Sequence, residues 1–157
     1  MRKQLIIIGI IVLFVLVGLS GCVIEDEKAD YIKVTVTLTG GFWKSTNNIM
    51  RPHEPVSGVE LKLMMVKDGG ERMEFYRTTD EGGETSACTH TFNVYKEQPV
   101  ELTASLFSEV PAELKNYTIG GAAYAVIPWA QIDGAADLGG SYSTSYSLSL
   151  FAYPPTN

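Results

Sequence analysis

Tyr31-Ile32-Lys33-Val34-Thr35-Val36-Thr37-Leu38-Thr39 decides the fold. Ile32, Val34, Val36 and Leu38 share one parity; Lys33, Thr35, Thr37 and Thr39 share the other. A period of two carried by β-branched residues marks a half-buried strand. Gly40-Gly41 is expected to end it. The far end of the chain repeats the pattern. Ser141, Ser143, Ser145, Ser147 and Ser149 alternate with Tyr142, Thr144, Tyr146, Leu148 and Leu150. One face should be wet and the other should join the core, with Pro154-Pro155 stopping the strand.

The stretches between obey the same rule. Val59, Leu61, Leu63 and Met65 form an inward face, and Asp68-Gly69-Gly70 turns the chain into Arg72–Thr78, where Met73 and Phe75 are apolar, so the two read as a hairpin. Thr79 to Glu84 is a second turn. Ser86, Cys88, His90, Phe92 and Val94 share a strand face, Gln98-Pro99 breaks it, and Val100, Leu102, Ala104 and Leu106 follow. Phe42 to Pro55 reads as a long loop, Ser108 to Asn116 as a loop or one helical turn from Pro111, and 133–140 as a Gly- and Asp-rich loop. Ala122 to Ile127 is a short strand. About seven strands at short spacing, with no amphipathic helical stretch, predict an all-β antiparallel sandwich over 31–153.

Ahead of that domain stands an apolar segment. Arg2 and Lys3 lead an uncharged run, Leu5 to Leu19, closed by Leu19-Ser20-Gly21-Cys22. A basic start, an apolar core and small residues before a break are export-signal features. The last four residues resemble the lipobox of prokaryotic lipoproteins. The resemblance implies a diacylglyceryl group on the Cys22 thiol and cleavage before it. The expected divisions are a signal peptide over 1–21, an acidic tether over 22–30 and the sandwich over 31–153. The alternative is a retained transmembrane anchor helix. Leu5 to Leu19 gives roughly 22 Å of helix against about 30 Å of hydrocarbon, which is short for a span. Either way the remaining chain lies outside the cytoplasm, anchored to the membrane.

Charge narrows the partners. Twelve basic and eighteen acidic residues leave a net −6. Loss of Arg2 and Lys3 with the signal takes this to −8. Nucleic-acid binding needs clustered Lys and Arg and is not expected. The chain has two cysteines. Lipidation of Cys22 leaves Cys88 without a partner, so the exported domain must fold without an internal disulfide.

A second resemblance rests on Pro55-Val56-Ser57-Gly58-Val59-Glu60-Leu61-Lys62-Leu63, Thr78-Thr79-Asp80-Glu81-Gly82-Gly83, Thr91-Phe92-Asn93-Val94 and Val100-Glu101-Leu102-Thr103-Ala104. These stretches resemble the carboxypeptidase regulatory-like, or transthyretin-like, β-sandwich modules over about a third of the chain. The resemblance implies an Ig-like or transthyretin-like sandwich, and a non-catalytic spacer or docking domain. Related adhesin modules carry a Lys–Asn crosslink between first and last strands. Lys33 is in place, but Ser141 to Phe151 offers no Asn or Asp, so no crosslink is expected.

Catalytic residues do not stand out. Nucleophilic catalysis needs a base beside Ser or Cys, and only His53 and His90 are available. No Gly-x-Ser-x-Gly elbow is present. No catalytic site, metal or cofactor is expected. Cys88 and His90 share a strand face, but a structural zinc wants four ligands. Asp80, Glu81 and Glu84 lack an EF-hand spacing and read as a solvated turn. Asn116-Tyr117-Thr118 matches the N-glycosylation acceptor. Trp43 and Trp129 stand beside breakers and should lie in loops or at strand ends. With Phe42, Tyr117 and Tyr124 they are candidates for an aromatic platform that stacks on sugar or anchors a protein; plugging the open ends of the sandwich is the competing role. The expected function is a membrane-anchored, non-catalytic binding or structural module with a surface protein or glycan as partner. The alternatives are a carbohydrate- or peptide-binding accessory protein presenting loop aromatics, and a hydrolase with an unrecognised site.

Overall fold

A computed structural model describes residues 29–47 and 49–155. The signal segment over 1–21, Cys22 and most of the acidic tether lie outside the described residues.

The alternating stretches form strands, and the strands form two sheets. One sheet holds β1 (Tyr31–Ser45), β2 (His53–Pro55), β5 (Cys88–Tyr95), β7 (Thr118–Ile119) and β9 (Ser141–Tyr153). The other holds β3 (Glu60–Lys67), β4 (Arg72–Thr78), β6 (Val100–Leu106) and β8 (Ala122–Ile127), in the order β4-β3-β6-β8. β1 packs over β3, and β9 packs over β6 and β8. The apolar parities meet between the layers: Ile32, Val34, Val36 and Leu38 from β1, Leu61, Leu63 and Met65 from β3, and Phe92 from β5 are all fully buried. Each such side chain contributes about 1.5–3 kcal/mol on leaving water.

β1 corrects two expectations at once. It does not stop at Gly40-Gly41 but runs on to Ser45, and the expected loop from Phe42 becomes a hairpin with β2, in register Trp43↔Pro55 and Ser45↔His53. The parity holds throughout, since Gly40 and Phe42 continue the buried row. The glycines mark close approach rather than a turn. A Cβ on Gly40 would sit 2.8 Å from Leu63 Cδ2 and 3.0 Å from Leu61 Cδ1, both from the opposite sheet.

The turn after β4 supports this extension. β5 pairs with β1 only as far as Leu38↔Cys88. Beyond it, Gly40 N–H donates to Thr85 Oγ1 at 2.9 Å, Thr85 N–H donates to Gly40 O at 2.9 Å, and Phe42 N–H donates to Gly83 O at 2.9 Å. Asp80 Oδ1 shapes the turn by accepting from Gly82 N–H at 2.8 Å and Glu84 N–H at 3.2 Å, an Asx-type arrangement. Gly83 has φ 76°, and a Cβ there would meet Pro55 Cα at 2.9 Å.

Three further corrections follow from tertiary contacts. The first and last strands pair in parallel, from Lys33↔Ser141 to Lys44↔Ala152, so the pairing is not antiparallel throughout. A parallel pair needs a long connection, and the whole domain lies between these two. Trp129 opens a short helix, Trp129–Ala135, which takes in the start of the expected 133–140 loop. Only Ile132 is buried in it, so it has no apolar stripe to read. Ser86 lies before β5 and is exposed.

One lateral side is closed by side chains. Lys67 Nζ donates to Asn93 O of β5 at 3.0 Å and pairs with Glu71 at 3.1 Å. Glu71 Oε1 lies 3.2 Å from His90 Nε2. These contacts join β5 of one sheet to the β3–β4 hairpin of the other.

Candidate functional site

The outward parity of β1 and β9 builds one continuous surface. Strand pairing sets Thr35 beside Ser143, Thr37 beside Ser145 and Thr39 beside Ser147. On the other flank Thr35 faces Thr91 and Thr37 faces Thr89. The hydroxyls of Thr35 and Thr91 are 2.8 Å apart, and those of Thr37 and Thr89 are 3.0 Å apart. Thr39 Oγ1 donates to Tyr146 O at 3.4 Å. The result is a grid of short hydroxyl side chains.

Aromatic rings occupy the far end of that surface. The register carries Trp43 next to Phe151 on one side and Pro55 on the other. His53, brought in by β2, packs its ring 4.9 Å from Phe151, and Phe151 lies 6.4 Å from Tyr153. Trp43 folds back over Gly41: a Cβ on Gly41 would lie 2.8 Å from Trp43 Nε1 and 2.8 Å from Ser149 Oγ. The missing side chain at Gly41 leaves room for the indole to lie along the sheet. On the inner parity, Lys44 Nζ pairs with Glu54 at 3.0 Å and fastens β2 to β1. The hydrogen bond and charge of Glu54 raise the Lys44 pKa.

Charge separates the two sheets. On the outer face of the five-stranded sheet, the described strand residues carry no carboxylate; Lys33 and His53 are its basic groups. The outer face of the other sheet carries Glu60, Glu74 and Glu101 with Lys62 and Arg72. There Lys62 pairs with Glu74 at 3.0 Å, and Arg72 pairs with the same carboxylate.

The anticipated aromatic residues do not form one group. Trp43 joins the strip just described. Tyr117 lies at the same end of the domain, beside a hollow lined by Lys44, Glu54 and Pro154, and packs against the core. Phe42 is buried in the core. Trp129 packs half-buried near the start of β1, where its neighbour Gln131 donates to the Tyr142 hydroxyl at 2.7 Å. That is about 30 Å from Trp43 at 3.3 Å per strand residue. Tyr124 is exposed on the outer face of the four-stranded sheet; desolvation and then Glu101 push its hydroxyl pKa up. Asn116 is exposed just before β7.

Phe151, Tyr153 and His53 were not anticipated. The first two were legible, since the serine parity of β9 continues directly into them once the strand is extended to Tyr153. His53 needed the hairpin, which no local pattern announced.

The histidines and Cys88 have structural neighbours. His53 is exposed and lies on Phe151. His90 bonds Glu71 and packs 4.6 Å from Phe92. Cys88 is 3% exposed and its thiol donates to Leu38 O at 3.3 Å. Burial pushes that thiol's pKa up despite the charge of Arg77. Among the described residues, no three His, Cys, Asp or Glu side chains form a group able to hold a metal. No protein-family model matches the chain, and no curated protein matches it in sequence.

Proposed function

We propose that this chain is a lipoprotein anchored outside the cytoplasm through Cys22, whose sandwich over 31–153 is a non-catalytic binding or structural module. The signal pattern over 1–21 and the lipobox support the anchor. The resemblance to carboxypeptidase regulatory-like and transthyretin-like modules supports an Ig-like or transthyretin-like kinship for the sandwich. One observation carries the binding role: the hydroxyl-lined face whose described strand residues carry no carboxylate and which ends in Trp43, His53, Phe151 and Tyr153.

The geometry of a tether agrees with this reading. A chain held at 22–30 enters the sandwich at Tyr31. Trp43 lies twelve residues further along one unbroken strand, about 40 Å at 3.3 Å per residue. The aromatic end is then the end of the sandwich opposite the point where the tether enters.

A second reading, a carbohydrate- or peptide-binding accessory protein, is favoured by the same aromatic strip, although its rings stand on strands rather than loops. Crosslinking and pull-down from native membranes test the module. The wild-type chain should retain a surface partner that Trp43→Ala and Phe151→Ala lose. Equal recovery with all three proteins, or none with any, removes the binding role.

A further inference from the structure

The outer face of the five-stranded sheet has a composition that selects its ligand. From Thr35 to Gly41 on β1 and from Ser141 to Ser149 on β9, every outward residue is Thr, Ser or Gly. No side chain there extends beyond its γ atoms. Neighbouring strands stand about 4.8 Å apart, and residues on one face recur about every 6.7 Å along a strand. The hydroxyls therefore form a regular, low-relief grid, and the grid runs into Trp43, Phe151 and Tyr153.

We propose that this face binds an uncharged, extended polysaccharide laid along β1 and β9. Sugar rings stack on Trp43 and Phe151, and ligand hydroxyls pair with the threonine and serine rows. The inference rests on the binding-module reading and gives that module a ligand class.

Four features select this ligand over others. The described strand residues of the face carry no carboxylate although the chain is acidic overall, and the exposed turn residue Glu84, bridged to Gly41, stands at its margin. An anionic polymer would need a basic cluster, and Lys33 and His53 stand at opposite ends of the face. A neutral polymer laid along the hydroxyl rows meets charged side chains only at their margins, so it strips little water from charge. Each hydroxyl both donates and accepts, which matches a ligand made of hydroxyls; the Thr35–Thr91 and Thr37–Thr89 bonds hold that grid in place. Aromatic rings offer broad apolar faces, the complement of the C–H face of a pyranose. Low relief suits a long regular chain, whereas a protein interface concentrates on anchors seated in pockets.

The test uses the full-length chain in detergent, sedimented with insoluble cellulose, chitin and mannan, and with immobilised polygalacturonate as the anionic comparison. At least one neutral polymer should retain the protein. Trp43→Ala and Phe151→Ala should each weaken retention at least about tenfold. Ser145→Lys, which raises a long charged chain from the grid without entering the core, should weaken it too. Thr103→Lys, on the outer face of the other sheet, should leave it unchanged. Circular dichroism checks that each variant is folded. The proposal is overturned if no neutral polymer retains the wild-type protein, if polygalacturonate is preferred, or if Ser145→Lys and Trp43→Ala both bind as well as wild type. Where the polysaccharides fail but native membranes yield a Trp43-dependent partner, or a second copy of this chain, the module stands and the sugar assignment falls.

Discussion

The indole of Trp43 lies over the backbone of Gly41, with Nε1 2.8 Å from the point a Cβ would occupy. The obstacles there are side-chain ends, Trp43 Nε1 and Ser149 Oγ. Gly41→Ala should therefore lift the ring at small cost to the fold. Tryptophan emission should shift to the red and aqueous quenching should rise, with the melting temperature little changed. An unchanged emission spectrum refutes this placement of the ring.

Gly40→Ala should do the reverse. Its added carbon meets Leu63 and Leu61 in the core, and overpacking costs typically about 1–3 kcal/mol. Denaturant unfolding should show that loss, with tryptophan emission unaltered in the folded state. Gly83→Ala should also destabilise by about 1–3 kcal/mol, because φ 76° is unfavourable for alanine and the carbon meets Pro55 backbone.

The bridge through Glu71 predicts a pH dependence. Desolvation pushes the Glu71 carboxyl up, but hydrogen bonds and charge from His90 and Lys67 outweigh it, and the folded-state pKa is lowered from 4.5. A lowered carboxyl pKa stabilises above the unfolded value, and that stability is lost as pH falls through the folded value. Unfolding free energy should therefore decline as pH drops below the ordinary carboxylate range. Glu71→Gln should flatten that decline and leave the slope at higher pH alone. Glu71 is 41% exposed, so salt should reduce the effect.

Cys88 should be silent in the folded protein. Its thiol is buried, bonded to Leu38 O and raised in pKa, which disfavours the reactive thiolate. In a Cys22→Ser background, maleimide labelling should proceed only as fast as the domain opens, and denaturant should accelerate it sharply. Rapid labelling under native conditions would contradict the burial.

The anchor has its own test. Intact mass of the native protein should show a chain starting at Cys22 with acyl groups attached. Cys22→Ser should leave the membrane fraction or be mislocalised. A variant that fractionates as before excludes lipid at this position.

Alternation was enough to assign six of the long strands and to name their buried faces, while Ala122–Ile127 was read as a strand without a named face. Ile32, Val34, Leu61, Leu63, Phe92 and Leu102 are all core residues, because side-chain direction along a strand is a local property of extended backbone. The turns at Gly69-Gly70 and Asp80–Gly83 were equally legible, since positive φ and Asx bonding are written in residue type. The sequence also set the serine parity on which Phe151 and Tyr153 lie. Partnership was not legible. That β1 runs through Gly40-Gly41, pairs in parallel with β9 and folds β2 back beside Trp43 depends on contacts with Leu61, Leu63 and Thr85, which come from other strands and turns. Pairing is settled by the fit of surfaces distant along the chain, so only the assembled sheets could gather one tryptophan, one histidine and a row of hydroxyls onto a single face whose described strand residues carry no carboxylate.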